Sequence, residues 1–114
     1  MSLTLAASQV SVAASGYVSV GDFLRECQEE KKPCVAFVLG AVEGARYQTR
    51  EWLKDQPYAY RMHNQAVCLP AEWDGLELTE TVISILTDEP QTHEYSAVSG
   101  ILYALATKST CREI

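Results

Sequence analysis

The stretch SVGDFLRECQEEKKPCVAFVLGAVEGA, residues 19–45, decides the fold class. Ser19 can cap the free amides of a first helical turn, and Asp22 stands three residues on, in a capping-box position. Val20, Phe23, Leu24 and Cys27 then follow at i, i+3, i+4 and i+7, one apolar stripe along a helix. The charged run Glu29-Glu30-Lys31-Lys32 ends that helix as a solvated turn. Pro33 suits the first position of a second helix, where its missing N–H costs nothing. From there Cys34, Phe37, Val38, Ala41, Val42 and Ala45 repeat at helical spacing, carrying the helix to about Arg50 or Trp52. Gly40 and Gly44 share a face of it. Each costs about 1 kcal/mol against Ala in a helix, so close backbone packing against a neighbour is expected in return. Glu43, Arg46 and Arg50 are too polar for that face to be a lipid-facing pair.

Outward from this pair of helices the pattern breaks and then resumes. Residues 54–75 (KDQPYAYRMHNQAVCLPAEWDG) hold two prolines, a terminal glycine and three exposed-looking aromatics, which predicts loops around a short helical piece. From Leu76 a third stripe runs through Leu78, Val82, Ile85 and Leu86 to Asp88-Glu89-Pro90. A fourth helix is predicted from about Gln91 to Lys108, with Tyr95, Val98, Ile101, Leu102 and Leu105 inward. Nothing alternates with period two for long enough to argue a sheet, and the length and flanks of VISILT favour helix over strand. The expectation is an all-α, single-domain bundle of four main helices over residues 19–114. Residues 1–18, small and weakly apolar, read as the remnant of a secretory leader or as a flexible tail.

Four cysteines sharpen the picture. Cys27, Cys34, Cys68 and Cys111 include no C-x-x-C pair, so zinc-ribbon and thioredoxin spacings are absent and two disulfides are favoured. Disulfides imply an oxidising compartment, and with the leader-like amino terminus a periplasmic or otherwise exported domain. Cys27 closes the first helix and Cys34 opens the second, so a short turn brings them together, leaving Cys68 with Cys111. Four cysteines allow three connectivities; this is the favoured one.

Composition bounds the function. In 114 residues, 15 Asp+Glu against 9 Lys+Arg give a net charge of -6, which argues against nucleic-acid partners and for cationic ones. No apolar run approaches the ~20 residues that cross a membrane. There is no G-x-S-x-G elbow, no H-E-x-x-H and no phosphate-cradling loop, so no enzyme is expected and neither a cofactor nor a metal is called for. His93 beside Glu89 or Glu94 could form a metal pair on paper, but a surface histidine is the favoured reading. The charge is also uneven. Between Met62 and Thr107 there is no Lys or Arg, while Glu72, Asp74, Glu77, Glu80, Asp88, Glu89 and Glu94 supply seven acids. Solubility alone would explain an acidic half. Trp73, set between Glu72 and Asp74, equally suits an interface anchor that steers toward a basic cleft.

Taken in order, Leu24-x-x-Cys27, Cys34-x-x-Phe37-x-x-Gly40-x-x-x-Gly44, Cys68-Leu69-Pro70, Leu86 to Pro90 and Ala97 to Cys111 resemble the Rap/Tai family of type VI secretion immunity proteins. The resemblance covers about residues 20–111. It implies a small, helical, disulfide-bonded periplasmic protein, in several members a homodimer. Such a protein binds a cognate peptidoglycan amidase effector and blocks its papain-like Cys-His groove with a protruding loop. Carried onto this sequence, the partner-binding residues are Glu72, Trp73, Asp74, Gly75 and Glu77, after Cys68-Leu69-Pro70, and secondarily Asp88, Glu89 and His93. The alternative from another class is a periplasmic acid-stress chaperone of the HdeA type, also small, helical and disulfide-stapled.

Overall fold

A computed structural model describes residues 18–49, 59–62, 65–109 and 111. Helix α1 (Val20–Glu29) begins as the sequence predicts. The Ser19 hydroxyl accepts from the Asp22 amide, and the Asp22 carboxylate accepts from the Ser19 amide. Val20, Phe23 and Cys27 are buried, with Leu24 packed beside them. A single extended residue, Glu30, separates α1 from α2 (Lys31–Thr49). The second helix thus starts two residues before Pro33, whose N–H would have no helical partner anywhere in the first turn. The disulfide Cys27–Cys34 clamps the two helices at this turn, with Cα atoms 5.5 Å apart. Phe23 and Phe37 meet edge to face on the same seam, with ring centres 5.7 Å apart.

The next element corrects the all-α expectation. Residues read as loops around a helical piece form a hairpin, β1 (Ala59–Met62) against β2 (Gln65–Cys68), antiparallel and in register from Ala59↔Cys68 to Met62↔Gln65. At four residues each, the strands are too short for a period-two signal to emerge from sequence. Tyr60, taken as an exposed aromatic, is fully buried, and its hydroxyl donates to the Leu102 carbonyl at 2.8 Å. The hairpin's other side holds the end of the chain. The Cys68 amide donates to Ser109 O and the Cys111 amide to Ala66 O, at 2.7 and 3.0 Å, and the disulfide Cys68–Cys111 fixes that pairing. Both predicted disulfides are therefore present.

Helix α3 (Gly75–Thr87) buries Leu78, Val82 and Leu86, the predicted stripe. It is tied to the start of α2 by a Lys31–Glu80 ion pair at 2.7 Å. A 3-10 turn (Pro90–Thr92) follows, and α4 (Ala97–Lys108) starts only after it, capped by Ser96. Ile101 and Leu105 turn inward as predicted, but two of the other predicted residues do not. Ala97, Gly100, Ile101, Ala104 and Leu105 are buried, whereas Tyr95 and Val98, predicted inward, are exposed. Size is the physical reason: small side chains let α4 lie against α1, and a Cβ on Gly100 would overlap the Val20 side chain. The glycines expected to pack closely do not. Gly40 and Gly44 are exposed, with open space where a Cβ would stand. Among the described residues the result is four α-helices around one core with a small hairpin closing one side, rather than helices alone.

Candidate functional site

The acidic residues singled out in the sequence fall into two groups at opposite ends of α3. The helix is thirteen residues long, roughly 20 Å at 1.5 Å per residue. Glu72, Trp73, Asp74, Gly75 and Glu77 stand at its amino end, and Asp88, Glu89 and His93 at its carboxyl end. The structure does not bring the two groups into one site.

At the amino end, most of the side chains carry structural duties. Asp74 caps α3: its Oδ1 accepts from the Glu77 amide at 2.8 Å, and Glu77 Oε1 accepts from the Asp74 amide at 3.1 Å. Two carboxylates at a helix amino terminus also suit the positive end of its dipole. Gly75 is held by closeness to α2, since Val35 and Leu39 lie 2.9 and 3.1 Å from where its Cβ would be. Trp73 is half-buried and packs on the core, so its ring serves both readings: part anchors the loop, part faces solvent. Glu72 is exposed and has no side-chain hydrogen bond or ion pair among the described residues. It is the carboxylate of this loop most available to a partner.

The carboxyl end is a knot in the fold. His93 Nε2 lies 2.9 Å from the Leu86 carbonyl at the end of α3, which also accepts from the Glu89 amide at 3.1 Å. The His93 carbonyl in turn accepts from the Gly21 amide at 3.0 Å, and the Tyr95 carbonyl from Val20 at 2.9 Å. His93 thus joins α3 to the start of α1, a role its sequence context did not signal. Glu89 accepts from Gln91 and, at 3.4 Å, from the Tyr103 hydroxyl. The Glu89 charge beside it holds that phenol above its usual range. Asp88 ends α3 and is exposed. His63, the other histidine, lies outside the described residues. Among the described residues no cluster of His, Cys, Asp and Glu has the arrangement of a metal site.

One concave surface escaped the sequence reading. A cavity of about 520 Å³ opens along the α1–α2 seam. Phe23, Cys34 and Phe37 floor it, Val18 and Pro33 wall it, and Asp22, Arg25, Glu26 and Glu29 ring it. Periodicity had assigned Phe23 and Phe37 to the core, which they join; it could not show that the seam between them gapes. Arg25 is paired with Asp22, whereas Glu26 and Glu29 have no ion pair among the described residues. The groove therefore has an apolar floor and a net negative rim.

A family model described as Rap1a immunity proteins matches residues 19–111. No curated protein and no solved structure matches the chain.

Proposed function

The chain belongs to the Rap1a immunity protein family, and from that premise we propose that it binds and sterically blocks a cognate type VI secretion effector, a peptidoglycan amidase, in the periplasm of the cell that makes it. The match over residues 19–111 carries this reading, because it runs through all four cysteines and through every helix and strand among the described residues. Other features support it. Two disulfides fit an oxidising compartment. A stapled scaffold presents its loops with little entropy left to lose on binding. The loop at the amino end of α3 is short, acidic and tied down at Asp74 and Gly75, as a plug for a basic-lined groove should be. The part that enters the effector is the stretch Glu72 to Glu77, with Glu72 and the exposed portion of Trp73 making the contacts. Asp88, Glu89 and His93 form a secondary contact at the far end of α3. The working unit is a homodimer, and the chain acts by binding rather than by catalysis.

The test is capture from cells competent in type VI secretion, with the oxidised protein as bait, followed by an assay of the captured enzyme on purified peptidoglycan. One stoichiometric amidase whose activity the chain abolishes is the expected result. Many clients, captured only at low pH, would replace this reading with that of an acid-stress chaperone. Glu72→Lys then locates the contact. It should weaken binding roughly tenfold, as loss of a rim or core charge pair does, with thermal stability unchanged. Asp74→Lys is the poorer probe, because losing the cap costs about 0.5–2 kcal/mol of stability by itself.

A further inference from the structure

The α1–α2 groove lies on different elements from the loop at the head of α3, and its chemistry defines a second occupant. Its lining is aromatic and sulfur: Phe37 is half-buried and meets Phe23 edge to face, and Cys34 lines the same groove. A side chain that fits such a floor is large and apolar, best aromatic, because that shape gains ring contacts as well as burial. The rim selects what stands beside it. Glu26 and Glu29, three residues apart, lie on the same side of α1, and Arg25, the one cation at the opening among the described residues, is already engaged by Asp22. A carboxylate brought to this opening would meet two uncompensated charges, whereas a Lys or Arg would find both.

We propose that this groove is a docking subsite for a segment of the effector surface in which an aromatic side chain is flanked by lysine or arginine. The aromatic ring enters between Val18, Pro33 and Phe37, and the flanking cation lies across Glu26 and Glu29. The immunity reading supplies only the identity of the partner; the groove and the chemistry it accepts stand apart from it. The inhibitor would then hold its effector at two places, the plug loop and this seam, and a two-point grip raises affinity beyond either contact alone.

The probe is an amidated Arg-Trp-Arg tripeptide, titrated into the full oxidised protein and followed by amide chemical shifts. The expected result is saturable shifts at Phe23, Cys34 and Phe37 with Kd on the order of 1 mM, as befits one buried ring and one ion pair. Glu26→Lys with Glu29→Lys should weaken it roughly tenfold while the protein stays folded, because cations near the carboxyl end of α1 favour its dipole. Equal shifts with Glu-Trp-Glu, equal shifts with Arg-Gly-Arg, or no shifts at these positions would each overturn the proposal. So would nuclear Overhauser contacts between residues 1–17 and Phe37 in the free protein, which would make the chain's own amino-terminal segment the occupant. Inhibition of the effector is measured separately, so the immunity reading and this subsite can fail independently.

Discussion

The two disulfides hold halves of the molecule that are built in opposite ways. Cys27–Cys34 spans seven positions and clamps two helices that are already neighbours in sequence; Cys68–Cys111 spans 43 and brings the carboxyl terminus onto the hairpin. In the first half, capping, periodicity and the disulfide all concern residues within a few turns of each other. In the second, Tyr60 reaches Leu102 and Gln65 reaches Ala106, so its order comes from contacts across the chain. Local structure is over-determined on one side, and long-range structure depends on a covalent tie on the other.

Removing each tie tests that contrast most strongly. Replacing Cys68 and Cys111 by Ala should cost about 4 kcal/mol by loop-closure entropy, against about 2.4 kcal/mol for Cys27 and Cys34. Urea unfolding of the two double variants measures both, and equal losses would break the comparison. Glycine replacement gives the next largest effect, with opposite signs at two sites. Gly100→Ala forces a methyl into the buried Val20 side chain and should cost about 1–3 kcal/mol. Gly40→Ala meets open space and should gain up to about 1 kcal/mol from helix propensity. A loss at Gly40 would mean that a second copy or a partner covers that face. Tyr60→Phe is of comparable size, a loss of about 1 kcal/mol for the hydrogen bond to Leu102.

Tyr60 also sets a pH dependence. Burial pushes its phenol above the ordinary value of 10.0, so the folded state keeps a proton that the unfolded state sheds. The stability tied to this group is fully present below pH about 10 and declines as pH rises above it. Alkaline unfolding of Tyr60→Phe should lack that decline.

The same division explains what could be read from sequence. The α1 capping box, the stripes of α1 and α3 and the two disulfides were legible because each rests on spacing within a helix or on the cysteine count. The hairpin was not, since AYRM and QAVC are too short to show alternation and resemble loop between prolines. On α4, Ile101 and Leu105 were legible as inward but Ala97 and Gly100 were not, because ranking Tyr95 and Val98 above them follows hydrophobicity, whereas the fit against Val20 is decided by size. For the candidate site, charge and the position of Trp73 were legible. The capping duty of Asp74 rests on the same spacing, with Glu77 three residues on, and is masked only by the charge pattern around it; the tie made by His93 and the groove between α1 and α2 needed three dimensions. Spacing along one helix cannot report the gap between two.

The bridge between Ser19 and Ser96 has a consequence for how the protein comes into being. Both serines are helix caps, and the amides of Val20 and Gly21 find their acceptors only at Tyr95 and His93. Most of the chain lies between. As the polypeptide emerges in order, the two leading amides of α1 stay on water until residues made near the end arrive. Closing so long a loop before any reward is slow. A nascent chain cut short before α4 would lose more than its last helix; α1 would keep its own cap but leave the Val20 and Gly21 amides to water.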